Sequence, residues 1–486
     1  MLFNSFEFFL FYLLLFPAYW LIHKHIRLRN TLLLIGSYIF YGSWDWRFLS
    51  LIAISSLVDF YCGKRIHASD VDRQRRLYLA ISLSVNLGIL GIFKYCDFFI
   101  SGFIDLMGVI GVQANQHTLN IILPVGISFY TFQTMSYTID IYRRRMEPTT
   151  SLLNFSTFVA FFPQLVAGPI ERAAELLPQI ERKTVFNYVQ FREGCFLILW
   201  GLVKKVLIAD RLAVYVDAVF ANPSAFSGEQ CLVAVLFFAV QIYCDFSGYS
   251  DIARGLAKTM GFELMVNFNT PYFSLSIREF WQRWHISLST WFRDYVYIPL
   301  GGSRVSKLIA KRNLFITFMV SGLWHGAAYN FIVWGFLHAV GNILEPQSKL
   351  RRKQRGETLS KWQVCVGFLW TFTFVNLAWV FFRASTFADA YTVLSNIMGL
   401  LPGFAAEVQQ SAGGSIIVAM NKTEFGLSVY FIGLLFLMDY FLKDRGIEAA
   451  STSLSQPWRW LLSWFLLTNF LILAPSETGA FIYFQF

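Results

Sequence analysis

Among the residues able to do chemistry, His325 occupies the most unusual place. It sits in Ser321-Gly322-Leu323-Trp324-His325-Gly326-Ala327, inside a stretch from Leu314 to Leu344 that holds no Lys, Arg, Asp or Glu. The basic pair Lys311-Arg312 marks the edge of that stretch. At ~1.5 Å per residue, a helix carries His325 roughly 20 Å from Arg312. A hydrocarbon core ~30 Å thick then surrounds the imidazole past mid-depth. An ionisable group is costly there and points to function. A ring with an ordinary pKa near ~6.5 is suited to general-base work. The blander alternative is a hydrogen-bonded histidine at a helix–helix contact, and spacing alone leaves both open. Gly322 and Gly326, four apart, form a small-x-x-x-small pair that lets helices approach closely and leaves the ring accessible. His338 falls roughly on the opposite face of a continuous helix and reads as structural.

A second group lies in Ile277 to Tyr295. Apolar residues at 277, 280, 281, 284, 288, 291, 292 and 295 keep helical spacing on one face. Arg278, Glu279, Gln282, Arg283, Ser287, Arg293 and Asp294 fall off it. This pattern predicts one amphipathic helix lying at the membrane interface, with His285 at the border of its two faces. Two readings stand: a surface anchor with an incidental histidine, or a place where a polar substrate meets the membrane. Under the second, Arg283, Arg293, Asp294 and Trp324 are candidate donor-binding residues beside His285 and His325. Pro299-Leu300-Gly301-Gly302-Ser303-Arg304 is either a helix terminator or a phosphate-binding turn, and the terminator is the better reading.

Further back, Lys204-Lys205 interrupt an apolar run from Cys195 to Val216. Lysines near the end of a span usually snorkel to the interface; the rival role is a counter-charge for a phosphate-bearing donor. Asp245 and Asp251 bracket Phe246-Ser247-Gly248-Tyr249-Ser250 and could orient a histidine or cap a helix. The six cysteines form no C-x-x-C pair and read as small core hydrophobes, so no metal site is expected. G-x-x-x-x-G-K-[ST], H-E-x-x-H and G-x-S-x-G are all absent, which removes support for nucleotide hydrolysis, zinc proteolysis and esterase chemistry.

The elements that must position these groups are apolar. The chain has 486 residues, 56% hydrophobic and 14% charged, against about 25% charged in soluble proteins. Mean hydropathy is +0.50. These values predict an all-α polytopic membrane protein, one integral-membrane domain over 1–486. The net charge of +10 suits positive-inside loops better than nucleic-acid binding: Lys24–Arg29, Lys64–Arg76, Arg143–Arg145 and Lys349–Arg355 border apolar runs and are expected to be cytoplasmic. Met1 to Trp20 reads as a retained first span with its N-terminus on the far side. Apolar runs near 6–22, 31–60 (broken at 43–47), 77–93, 98–112, 119–141, 152–168, 194–217, 231–245, 314–344, 362–382, 427–442 and 459–474 give about eleven spans, several too short to cross upright. The piece 98–112 reads as interfacial or re-entrant, and the short pieces hint at a cavity inside the bundle. The run 314–344 is either one tilted helix or is broken near Gly322–Asn330. The stretch 402–426 reads as an exposed loop.

With these residues laid out, the chain resembles the membrane-bound O-acyltransferases, and most closely the branch containing alginate O-acetyltransferase. The carrying segments are Asp245–Ala253, Asn267–Tyr272, Phe280–Tyr295, Ile298–Gly302 and Gly322–Gly326, with support from Pro163–Pro169, Gly201–Asp210 and Phe481–Phe486. The resemblance implies a helical bundle around a central funnel, with His325 as the membrane-embedded catalytic histidine and His285 as the second characteristic histidine. It implies a cytoplasmic thioester donor, acetyl-CoA or an acyl carrier, with no tightly bound cofactor. It also implies a bacterial inner-membrane location and a periplasmic or membrane-anchored acetyltransferase partner that completes O-acetylation of an exopolysaccharide, alginate-like or cellulose-like. Membrane lipid, and no nucleic acid, is the other expected partner. Two alternatives are a D-alanyl transferase fed by a carrier protein and, from another class, a polysaccharide or lipid transporter.

Overall fold

The structure, a computed structural model, describes residues 1–111, 122–345, 359–401, 415–442, 448, 452–475, 479 and 481–482. The basic loop 349–355 and most of the stretch 402–426 lie outside the described residues. Among the described residues the secondary structure is entirely helical. Four helices among the described residues are long and apolar enough to cross a membrane: Asp72–Val109, Gly228–Thr259, Lys361–Arg383 and Lys422–Phe441.

The chain divides into two compact units, Met1–Ile198 with Ser250–Met265, and Leu199–Tyr249 with Val266–Phe486. The first unit begins with α1 (Phe6–Ile22), α2 (Ile26–Asp45) and α3 (Leu49–Ala68). The expected break at 43–47 is real: Asp45 accepts a hydrogen bond from the Arg47 backbone at 3.0 Å and starts a short 3-10 turn. Next come α4 (Asp72–Leu90), α5 (Cys96–Val109) and α6 (Ile127–Tyr142). The expectation of a separate piece at 98–112 is overturned. A single π-helical turn, Gly91–Tyr95, carries α4 into α5 without a stop. Gly91 keeps a right-handed φ of −61 and so provides no left-handed cap.

Helices α3, α4 and α6 meet over polar side chains. Ser55 and Asp59, Ser82 and Asn86, and Thr134 and Thr138 are each four residues apart, so each pair shares one helix face. Away from water these groups must satisfy one another. Asp59 accepts from Ser82 Oγ at 2.6 Å and from Asn86 Nδ2 at 2.8 Å. Asn86 Oδ1 accepts from Ser55 at 2.7 Å and Thr134 at 3.1 Å.

The second unit holds both candidate histidines and the segments around them. Its elements include α7 (Ile277–Arg283), α8 (Ile286–Phe292), α9 (Lys307–His325), α10 (Tyr329–Leu344) and α11 (Lys361–Arg383). The apolar run 314–344 is broken, with the break falling right after His325. Helices α9 and α10 pack at Gly322 and Gly335, whose Cα atoms approach so closely that a Cβ on either would meet the other's backbone at 3.2 Å. A Cβ on Gly326 would lie 2.1 Å from the Phe331 ring. Both glycines of the small-x-x-x-small pair are therefore packing devices, as expected.

Candidate active site

His325 is the last residue of α9 and is 3% exposed. Aromatic rings wall it in: Trp334 at 4.8 Å, Trp324 at 5.0 Å and Phe382 at 5.4 Å between ring centroids. Trp324 also faces His285, at 6.2 Å, so one indole stands between the two histidines. Among the described residues no three His, Cys, Asp or Glu side chains gather in a way that could hold a metal ion.

His285 corrects the sequence reading. The segment 277–295 is not one amphipathic helix, and His285 is not at a surface border. The chain breaks between α7 and α8, His285 adopts a left-handed φ of +43, and its side chain is fully buried. That backbone is rare outside glycine. It is held from outside the segment. Asn267 O accepts from the Ile286 backbone at 2.9 Å, and the Asn269 backbone donates to Arg283 O at 2.9 Å. The Asn267 side chain completes the fit: its Oδ1 accepts from the Ser287 backbone at 3.2 Å and lies 3.2 Å from His285 Nδ1. An oxygen already accepting from an N–H receives a proton from Nδ1 too, which leaves Nε2 as the lone-pair nitrogen. Burial pushes the His285 pKa down to about 3, so this ring stays neutral. Phe246 packs edge-on against it at 4.6 Å.

A cavity of about 1390 Å³ opens beside these helices. From α9 it is lined by Lys307, Ala310, Lys311, Leu314, Thr317, Phe318 and Ser321. Positions 307, 311, 314, 318 and 321 form one face of a 3.6-residue helix, and 325 is the next position on that face. Exposure falls along the stripe: Lys307 and Lys311 are exposed, Leu314 and Phe318 half-buried, Ser321 and His325 buried. Arg278 of α7 and Arg293 at the end of α8 add two more cations to the lining. Asn313 Nδ2 donates to Leu300 O at 2.9 Å, and Gly301 and Gly302 have φ of +110 and +57. The Pro299–Arg304 segment is thus a turn tied to the start of α9, and its Ser303 borders the cavity.

The lysine pair also departs from expectation. Lys204 and Lys205 do not snorkel; they are 3% and 1% exposed. Lys205 is clasped by Asp210 at 2.7 Å and Asp245 at 2.8 Å. Two carboxylates supply inside the protein the counter-charge that snorkelling finds in water, which is why the long side chain stays in. Lys204 Nζ donates to Ser247 Oγ at 2.8 Å. Asp245 accepts in addition from the Ile482 backbone at 2.6 Å, tying the C-terminal segment to the same cluster. Asp251 pairs with Arg254 at 3.6 Å.

Of the candidate donor-binding residues, the fold brings Trp324 between the histidines and puts Arg293 on the cavity, where Asp294 pairs with it at 2.8 Å. Arg283 turns away from the cavity lining to Glu279 at 3.0 Å. Arg278, Lys307, Lys311, Asn267 and Trp334 were not among the candidate site residues expected from sequence. The period-3.6 stripe on α9 was the available signal for the two lysines.

Comparison with known proteins identifies the family. The membrane-bound O-acyltransferase family profile matches residues 143–388. A probable alginate O-acetylase of Pseudomonas aeruginosa is 44% identical over 366 residues, 75% of this chain and 69% of the relative. One from Pseudomonas putida is 37% identical over 95% of both chains. A peptidoglycan O-acetyltransferase of Helicobacter pylori is 34% identical over 97% of this chain and 92% of its own. The matched segment contains both histidines and every residue lining the cavity, and the relatives align over most or nearly all of the chain: the protein belongs to the membrane-bound O-acyltransferase family and is a multi-pass membrane enzyme.

Proposed function

We propose that the protein moves an acetyl group from a cytoplasmic thioester donor across the bacterial inner membrane, for O-acetylation of an exopolysaccharide. The observation that carries this reading is the stripe on α9: its exposed cations and Ser321 line the cavity, and the next position inward on the same helix face is the buried imidazole of His325. A donor bearing phosphates, acetyl-CoA or the phosphopantetheine of a carrier protein, seats its anionic end at Arg278, Arg293, Lys307 and Lys311. Its thioester reaches inward toward His325. The acceptor hydroxyl arrives from the other side, through a funnel enclosed by about eleven crossings. His325 removes the hydroxyl proton, the oxygen attacks the thioester carbonyl, the C–O bond forms and the C–S bond breaks. The proton then leaves with sulfur as the free thiol. His285, neutral and fixed by Asn267, supports the site through Trp324. The names of the relatives, alginate and peptidoglycan O-acetylation, support an acetyl group and a polysaccharide acceptor. A periplasmic or membrane-anchored acetyltransferase completes delivery to the polymer.

The test is turnover of acetyl-labelled donor by purified protein in proteoliposomes. His325→Gln keeps hydrogen-bonding capacity and removes the base, so label release should fall about 10²–10⁴-fold at normal expression. Near-normal release by that variant would return His325 to a structural role. Absence of donor cleavage by the wild type, with polymer bound, would favour a transporter.

A further inference from the structure

His338 lies outside the chemistry proposed above, yet it is fully buried and sits in an aromatic pocket that ends at the cavity wall. Its ring stacks nearly parallel on Phe280, at 6.4 Å and 6°, and on Phe318, at 6.2 Å and 20°. The one polar contact is specific: Trp281 Nε1 lies 3.2 Å from His338 Nδ1. An indole N–H only donates, so Nδ1 is the acceptor and the ring carries its proton on Nε2. Trp281 and Phe318 both line the cavity. Trp281 also meets Trp334 at 5.6 Å, and Trp334 meets His325 at 4.8 Å.

We propose that His338 is a positioning residue: by accepting the Trp281 N–H it fixes the indole that forms the inner cavity wall and backs the ring beside His325. Without that acceptor, the N–H of this half-buried indole would lose its protein partner. Such a group costs free energy and turns toward any carbonyl in reach, here that of the bound thioester. His338 keeps the donor atom pointed away from the cavity and presents only the apolar indole face to the ligand. The inference rests on the cavity holding an acyl donor, as proposed above.

The test compares His338→Phe, which keeps a ring and loses the acceptor, with His338→Asn, whose side-chain oxygen can stand near the Nδ1 position. In protein labelled with 5-fluorotryptophan, the ¹⁹F resonance that disappears in Trp281→Phe belongs to Trp281. It should shift in His338→Phe and stay near its wild-type position in His338→Asn. With acetyl-CoA as donor, His338→Phe should raise KM about five- to tenfold, as loss of a neutral hydrogen bond does, with kcat within about twofold. The double variant Trp281→Phe/His338→Phe should be no worse than Trp281→Phe alone. Additive effects, or an unmoved Trp281 resonance in His338→Phe, would overturn the assignment. If wild-type protein does not turn over the donor, acetyl transfer fails as a reading while the resonance still decides the role of His338. Should His338→Phe not fold, His338→Leu serves in the same readouts.

Discussion

Lys205 shows how a single residue's meaning depends on its partners. Its ammonium lies between Asp210 and Asp245 with almost no solvent exposure. Removing the cation leaves two facing carboxylates, whereas removing one carboxylate leaves a matched pair. Lys205→Met should therefore destabilise the protein by about 3–5 kcal/mol, and Asp245→Asn by clearly less. Thermal unfolding in detergent, with the order of the two midpoints as the readout, checks this; equal midpoints would show that Lys205 does not neutralise the cluster. Sequence could place this lysine in an apolar run, but the carboxylates that hold it stand 5 and 40 residues further on (210 − 205 and 245 − 205). Lys205 itself lies within a turn with π-helical spacing, Val203–Ala209, which ends one residue before the nearer one.

At the scale of elements, α9 and α10 depend on the absence of side chains at their crossing. Gly335→Ala would place a Cβ 2.6 Å from Phe318 O. Overpacking of this kind typically costs about 1–3 kcal/mol. The expected result is a lower unfolding midpoint and a loss of acetyl release, since the shift displaces the end of α9 that carries His325. Full activity in Gly335→Ala would mean that the helices separate without consequence for the site. Most helices were legible as apolar runs, and the break after His325 fell within the span expected for it. The bend at His285 was not legible. The apolar spacing of 277–295 keeps its period through the bend, and neither Gly nor Pro marks it. What turns the chain is Asn267, 18 residues upstream (285 − 267), a tertiary cause that a local period cannot carry. The continuity of α4 into α5 was hidden because Lys94 and Asp97 interrupt the apolar pattern between 93 and 98, where the chain in fact continues through a π-helical turn.

At the scale of the whole molecule, the cations at the cavity come from three places in the sequence: Arg278 from α7, Arg293 from the end of α8, and Lys307 with Lys311 from the first turns of α9. The sequence showed basic residues beside apolar runs, but only folding gathers them round one opening. Their collective role has a salt signature. Screening between exposed charges is strong once the Debye length falls to about 10 Å, near 0.1 M salt. KM for acetyl-CoA should rise with ionic strength, and Lys311→Ala should raise it at low salt. A short acetyl thioester without phosphates should show neither effect. Equal salt dependence for both donors would remove the phosphate-binding role of this opening. Cysteine substituted at Lys307 should react with a membrane-impermeant reagent from the cytoplasmic side; labelling only from the periplasm would reverse the orientation.

The stripe on α9 also limits which length changes this chain can survive. From Lys307 to His325 is 18 positions (325 − 307), about five complete turns, so the two side chains share one azimuth. One inserted residue between them would swing the imidazole by about 100° and carry it off the cavity face. Three or four would nearly restore the azimuth and displace the ring by about 5 Å along the axis. Substitutions along the outer face of α9 are therefore compatible with activity, whereas insertions and deletions within it are not. Exchange of side chains at constant length should therefore disturb this segment less than any change of its length.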